Sequence, residues 1–449
     1  MSNRPYQSDM LRTVEGLFSE GKRRLAIQMP TGAGKTRIAT QLAARSGFSR
    51  VLYVVPSQEI FNQTSAKLKA HGVRHTTLRA GETPSLGGVY CLLAMSQTLA
   101  NRRKKTQLFD VWEPDVIIVD EVHKLYDQHY AVLRRWPDAA LIGMTATPVR
   151  LDGKSLSVLC PILVMGPTIR SLQSAGFLVP SVTYHAPSPN VRDVRRLAGD
   201  YDAGQLQRCY FDQGVLDIVP SYWLRHARGR PTITFAPGID ASRRLVETYK
   251  QAGIRAEHVD GETSTADRQS ALSRLRQGKI SVLCNVGLFI EGLDIIEVSC
   301  ITLCQPTASV SRYMQQVGRG LRIGPGKKNL VIIDHSGNTV THGRVDADRD
   351  WRRGGTYIGV SQRICRSCRA LTDADTPRCG ACAWVEKADR TNKASRRRQR
   401  QRDSRKTPPR EPPKWARPHS GLWQQLERER IAHGLPLNST PNRLKRMIA

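Results

Sequence analysis

Short apolar, β-rich runs alternate with longer segments whose apolar residues recur at helical spacing, and this alternation occurs twice along the chain. In the first part "RLAIQM" (24–29), "RVLYVV" (50–55), "GVYCLLA" (88–94), "DVIIVD" (115–120) and "AALIGM" (139–144) read as buried strands. Between them "KTRIATQLAARSG" and "SQEIFNQTSAKLKAHG" read as helices, each ending at a glycine suited to a C-terminal cap. After an irregular stretch at about 150–213 the pattern returns with "PTITFA" (231–236), "RAEHVD" (255–260), "KISVLC" (279–284), "SCITLC" (299–304) and "NLVIID" (329–334). Strand and helix in alternation predict a parallel sheet covered on both faces, so the expected fold class is α/β with two tandem domains and a cleft between them.

Beyond residue 340 the β-rich runs stop. The expected organisation is therefore a first α/β domain at 1–185, a second at 186–340, a small cysteine-bearing module at 341–386, and a basic linker with a C-terminal helix at 387–449. Charge sharpens the last assignment: between 386 and 418 there are 13 Lys or Arg and 4 Asp or Glu, 13 − 4 = +9, interspersed with prolines, the composition of a disordered arm.

For the whole chain of 449 residues, 69 Lys and Arg against 39 Asp and Glu give a net charge of +30, which favours a polyanionic partner such as nucleic acid. The sequence has no apolar run of membrane-spanning length and its N-terminus, "MSNRPYQSDM", has no apolar stretch of a signal peptide, so the expected compartment is the cytoplasm, without a membrane partner. Six cysteines lie singly in apolar or mixed sequence and read as buried thiols.

Chemistry enters after the first strand. In "QMPTGAGKT" (28–36) the loop ends in Gly32, Gly34, Lys35 and Thr36 and runs into a helix. Its backbone N–H groups and the helix N-terminus can cradle phosphates, Lys35 can neutralise the terminal ones, and the Thr36 hydroxyl can bind Mg²⁺. Met29 stands where the common phosphate-loop pattern has glycine. "VDEVH" (119–123) closes a buried strand with two carboxylates: Asp120 to hold Mg²⁺ and Glu121 to orient and deprotonate a water.

"MPTGAGKT", "DEVH", "TATP" (145–148) and "QQVGRGLR" (315–322), in this order and approximate spacing, resemble the superfamily 2 DEXH-box helicases over about residues 1–340. In that family the loop commonly reads x-P-T-G-x-G-K-T, so Met29 matches a helicase-type variant. The resemblance implies two RecA-like domains and an ATP site with Thr31, Gly32, Ala33, Gly34, Lys35 and Thr36 around the phosphates. It also implies Gln7, with Arg4 or Tyr6 nearby, at the adenine, and Gly292 and Asp294 near the ribose and the catalytic water. Arg319 and Arg322 would be arginine fingers reaching the γ-phosphate from the second domain. His123, Thr145, Ala146, Thr147 and Gln315 would couple the nucleotide to the nucleic acid, and Pro56, Gln58, Thr98, Arg102, Gly261 and Thr263 would contact its backbone. Ile290 departs from the Thr or Ser of many relatives.

"CRSC" and "CGAC" place Cys365, Cys368, Cys379 and Cys382 as C-x2-C, ten residues, C-x2-C, the spacing of a four-thiolate Zn²⁺ ribbon. Arg363, Arg366, Arg369 and Arg378 suggest that the ribbon adds a nucleic-acid or protein contact. The expected cofactors are thus ATP, Mg²⁺ and Zn²⁺, and the expected activity is that of a nucleic-acid-stimulated ATPase, a helicase or translocase. "TATPVRLDGKSL" and "GFLVP" (176–180) look like the branch of type I and type III restriction translocase subunits and phage-encoded helicases, which favours DNA and, for a phage protein, the bacterial host cytoplasm. The rival readings are an RNA helicase, a translocase subunit of a restriction-type complex, and a zinc protein that binds nucleic acid without motor activity.

Overall fold

The strands form where apolar residues fill both faces of a sheet. β2 (Val51–Val55), β5 (Val116–Asp120) and β6 (Ala140–Thr145) are buried at every position, as central parallel strands must be. A computed structural model describes residues 3–45, 47–82, 86–102, 112–150, 155–197, 199–288, 295–358 and 361–385. Gly292, Asp294, Ile290 and the basic segment 387–449 lie outside the described residues.

The first part runs α1 (Pro5–Ser19), β1 (Arg24–Gln28), α2 (Lys35–Ala43), β2 (Val51–Val55), α3 (Gln58–Ala70), β3 (His75–Leu78), β4 (Cys91–Met95), α4 (Ser96–Arg102), β5 (Val116–Asp120), α5 (Asp127–Leu133), β6 (Ala140–Thr145), β7 (Ile162–Met165) and α6 (Ile169–Ser174). Its sheet is seven-stranded and parallel, in the order β3-β4-β2-β5-β6-β1-β7. The second part runs β8 (Ser181–His185), β9 (Arg196–Leu197), β10 (Asp200–Tyr201), α7 (Ala203–Asp212), α8 (Val215–His226), β11 (Thr232–Phe235), α9 (Ile239–Gln251), β12 (Ala256–Val259), α10 (Thr265–Arg276), β13 (Val282–Asn285), β14 (Cys300–Leu303), α11 (Val310–Gly318), β15 (Leu330–Asp334) and α12 (Asn338–His342). Its sheet is six-stranded and parallel, in the order β12-β13-β11-β14-β15-β8. Two small antiparallel pairs follow: β16 (Arg349–Asp350) with β17 (Thr356–Tyr357), and β18 (Gln362–Ile364) with β19 (Leu371–Asp373).

The stretch expected to be irregular, 150–213, contains β7, α6, β8, the β9–β10 hairpin and all of α7. β8 belongs to the second sheet, so that sheet starts before residue 186, the expected boundary. β3, β7 and β8 are all edge strands. With only one flank paired they carry polar or half-exposed positions, and the apolar signal that marks the central strands fades. α2 also stops at Ala43, before Gly47, whereas α3 does end beside a left-handed glycine, Gly72. The carboxyl ends of β1, β5 and β6 adjoin in the first sheet, which brings the loops after them together.

Candidate active site

The loop after β1 is fixed before it meets any ligand. Met29 is fully buried, and its N–H donates to the Thr145 carbonyl at the end of β6 (2.9 Å). Gly32 and Gly34 both take positive φ (+87° and +88°), which an L side chain rarely tolerates. At Gly34 space forbids a side chain as well: a Cβ would lie 2.4 Å from Nε2 of Gln7. Gln7 is 3% exposed and is used twice, with Nε2 donating to the Ala33 carbonyl (3.2 Å) and Oε1 accepting from the Arg4 N–H (3.0 Å). It therefore braces the loop from behind, while Arg4 lines the cleft in front.

The two carboxylates sit at the end of β5. Glu121 takes a left-handed backbone (φ 48°), uncommon for a residue with a side chain and a form of local strain found at functional sites. Its N–H donates to Oδ1 of Asp120 (3.0 Å) and its carbonyl accepts from Lys124 (2.9 Å), which closes the tight turn. Gly143 in β6 makes room for that turn, since a Cβ there would meet Val122 at 2.8 Å. Burial pushes the Asp120 carboxyl up to about 6, and the Glu121 carboxylate adds to the rise. Burial acts to raise Glu121 too, but the positive field led by Lys35 outweighs it and holds Glu121 below its ordinary value. Lys35 Nζ lies 3.9 Å from Glu121 Oε1 and 3.4 Å from the Met29 carbonyl. Among the described residues, Glu121 Oε2 is buried with no hydrogen-bond partner: His123 Nδ1 is 3.5 Å away, but its proton is directed at Thr145.

His123 joins the two halves. Burial lowers its pKa to about 4, so the imidazole is neutral. Nε2 faces the Gln315 amide nitrogen on α11 at 3.2 Å and accepts its proton, which leaves Nδ1–H to donate to Thr145 Oγ1 at 2.9 Å. The same threonine oxygen accepts from the Thr147 N–H (3.0 Å), and Thr147 Oγ1 meets Ser311 Oγ of α11 at 2.5 Å. The Ala146 carbonyl accepts from Gln28 (3.0 Å). Gly318, at the end of α11, packs directly on Thr31, where a Cβ would come within 2.8 Å of the threonine Cβ. Just beyond Gly318, Arg319 and Arg322 face a cleft of about 410 Å³ that is also lined by Thr31, Gly32, Gly34, Lys35, Thr36, Asp120 and Glu121. The structure thus brings the phosphate loop, both carboxylates and both arginines to one space. Thr36 and Asp120, the expected Mg²⁺ ligands, share it.

Nine lining residues escaped the sequence reading, among them Phe177, Lys67, Gln63 and Arg37. Phe177 belongs to "GFLVP", so its aromatic character was visible, but only the fold shows that this segment reaches the cleft.

The expected strand contacts are less uniform. Pro56 and the exposed Gln58 follow β2, and Gly261 is exposed after β12. Arg268 of α10 donates to the carbonyls of Thr263 (2.7 Å) and Gly261 (3.2 Å) and lies 3.7 Å from Glu59 of α3, so it draws these two sites together. Thr263 spends its hydroxyl internally, donating to Asp260 Oδ1 and accepting from the Asp260 N–H, each at 3.0 Å. Thr98 is mostly buried in α4, and Arg102 donates to the Arg79 carbonyl (3.3 Å). Thr263 and Thr98 therefore present no free side chain.

The four cysteines of the C-terminal module converge, with all sulfurs within 4.8 Å of one another. Cys365 and Cys382 are 3.8 Å apart and Cys368 and Cys379 3.7 Å. A tetrahedron with metal–sulfur bonds of about 2.3 Å has edges of about 3.8 Å, whereas a disulfide would hold its sulfurs at about 2.0 Å. The module docks on β8: Tyr184 bridges to Ala370, the His185 N–H donates to the Arg369 carbonyl (3.0 Å), and Val182 and Tyr184 pack on the buried Cys365, Ala370 and Cys379. Arg363, expected to help the ribbon make a nucleic-acid or protein contact, braces the module by donating to the carbonyls of Thr376 (2.6 Å) and Pro377 (3.0 Å). Arg369 forms a left-handed turn (φ 66°), and Arg366 and Arg378 are exposed.

Residues 1–150 match the family described as type III restriction enzyme, res subunit, and residues 214–324 match the helicase conserved C-terminal domain. A 51.5 kDa protein of a Lactococcus phage is 29% identical over 342 residues, covering 74% of this chain and 71% of that protein. A Schizosaccharomyces pombe protein, irc3, provisionally named a mitochondrial ATP-dependent helicase, is 24% identical over 344 residues, covering 74% of this chain and 57% of its own length. Among solved structures, the ATP-dependent Type ISP restriction-modification enzyme LlaBIII bound to DNA shares the fold with a TM-score of 0.57 at 18% identity, over 75% of this chain and 28% of that one. The chain spans between 51% and 71% of the length of the first curated relatives it matches.

Proposed function

The chain belongs to the superfamily 2 helicases, in the branch of phage helicases and restriction-enzyme translocases, and on that premise we propose that it uses ATP to move along or remodel DNA. Its family makes it an ATP-hydrolysing enzyme with nucleic acid as partner. The observation that carries the reading is the shared cleft, where Lys35, Asp120 and Glu121 from one sheet meet Arg319 and Arg322 from beside the other.

In this reading the loop N–H groups and Lys35 would hold the phosphates, and Thr36 and Asp120 would hold Mg²⁺, which would supply charge neutralisation at the phosphates. Glu121, with its unbonded buried oxygen and lowered pKa, takes the proton of the attacking water. Arg319 and Arg322 stabilise the charge that develops on the transferred phosphoryl group. The His123–Gln315 and Thr147–Ser311 bonds cross between the sheets beside this site, so a change at the phosphates alters how the two domains grip the strand. Arg4 works at the base end and Gln7 behind the loop. The exposed Gln58, Gly261 and the Arg102 region form the strand track.

DNA is favoured over RNA by the restriction-enzyme character of the first domain and by a structural relative captured on DNA. The four-cysteine cluster has the spacing for Zn²⁺, and its place on β8 gives the metal a structural role, that of closing the open edge of the second sheet. ATP turnover measured with single-stranded, duplex and forked DNA and with RNA, at two salt concentrations, tests the substrate. DNA stimulation that weakens with salt supports the reading. Stimulation by RNA alone overturns it, and stimulation by neither overturns the motor.

A further inference from the structure

Residues 177–179 make three contacts in a row, each with a different part of the nucleotide cleft. The Phe177 ring lines the cleft, meets Tyr6 edge-on with ring centroids 5.4 Å apart, and carries the Arg4 guanidinium 4.9 Å above its centroid. Tyr6 in turn donates to the Ala33 carbonyl of the phosphate loop (2.9 Å) and accepts from Arg4 (3.1 Å), so Arg4, Tyr6 and Phe177 form one aromatic and cationic cluster, of which Arg4 and Phe177 line the cleft. Leu178 is buried against Gly32, where a Cβ would come within 3.1 Å of Leu178 Cδ2. The Val179 N–H donates to the carbonyl of Leu321, the residue before Arg322 (2.9 Å). The tripeptide is anchored from its other side too, since Phe177 and Leu178 donate to the Leu172 carbonyl at the end of α6 (2.8 and 3.2 Å) and Gln173 donates to the Val179 carbonyl (3.0 Å).

A half-buried phenyl ring is a surface for the flat face of a nucleobase and itself offers no donor or charge to a phosphate, while the Arg4 guanidinium stacked on it fixes its position. We propose that Phe177 is a base-recognition residue of the nucleotide site, held by residues 177–179 at a fixed distance from both the phosphate loop and the arginine-bearing loop. This rests on the reading of the cleft as an ATP site. Because Val179 is bonded beside Arg322, the cluster that receives the base and the loop that presents the arginines are parts of one strap, and a purine in place sets the spacing at which both ends of the nucleotide are engaged.

Equilibrium binding of ATP and of inorganic tripolyphosphate, which has the phosphates but no base, separates the two ends. Phe177→Ala is expected to weaken ATP about tenfold, the loss of about 1.4 kcal/mol of stacking, while tripolyphosphate binding stays within about twofold. Phe177→Tyr, which keeps the ring, is expected to restore ATP binding. In turnover, the Phe177→Ala defect is expected in KM, with kcat within about threefold. Unchanged ATP binding, equal weakening of both ligands, or failure of Phe177→Tyr to restore binding would each overturn the proposal. Lys35→Ala provides the separate check on the cleft: if it leaves both ligands bound as in the wild type, the ATP-site reading itself fails, whatever Phe177 does.

Discussion

The two sheets of this molecule have the same parallel architecture but equip the cleft in opposite ways. The first delivers Lys35, Asp120 and Glu121 already buried, each less than 10% exposed. The second delivers Arg319 on a short 3-10 turn at the end of α11 and Arg322 just after it, next to a helix that touches loops of the first domain through Gln315, Ser311 and Gly318. In the proposed reading, one half holds the carboxylates and the phosphate loop in place and the other supplies the two cations from beside the second sheet. Such a division lets ATP hydrolysis depend on how the halves are placed, which is the requirement for a motor.

Removing the second half's cations is the most severe way to break this contrast. Arg319→Ala is expected to lower ATP turnover about a thousandfold while ATP still binds, as single-turnover kinetics would show. Severing the contact between halves comes next. Gln315→Ala leaves His123 without its cross-sheet partner, and the stimulation of turnover by DNA should fall by about five- to a hundredfold, with a smaller effect on unstimulated turnover.

Much of the candidate site was legible in the sequence because it is local. Lys35 and Thr36 follow a strand within a few residues, and Asp120 and Glu121 end another, so motif and geometry coincide. The central strands were legible for the same reason, as β2 and β5 are apolar throughout. What the sequence did not disclose depends on distant partners. The edge strands β3, β7 and β8 become strands through a neighbour on one side only. Phe177 reaches the cleft because α6 and Leu321 hold it there, and Gln7 serves as a brace because Gly34 leaves space for it. Thr263 resembled a strand contact until its hydroxyl was found closed on Asp260. Arg363 resembled a basic surface residue until its guanidinium was found on two carbonyls of its own module.

Two smaller perturbations sharpen the comparison from the second half's outer edge. Stripping metal with a chelator, or Cys379→Ser, is expected to release about one zinc ion per chain and to lower the melting temperature by several degrees, about 2–4 °C for each kcal/mol lost. The exposed edge of β8 should then promote aggregation, followed by light scattering. At the other extreme, Glu59→Ala removes the half-exposed partner of Arg268 and is expected to change stability by less than about 1 kcal/mol in denaturant unfolding, since such pairs contribute little.

The central claim is that the buried carboxylate at the end of β5 drives ATP turnover on DNA. It is tested most directly by Glu121→Gln, which keeps the shape and removes the base, assayed for ATP turnover under saturating DNA together with ATP affinity. The account predicts turnover lower by about a hundredfold or more with ATP affinity kept within about threefold; turnover equal to wild type would contradict it.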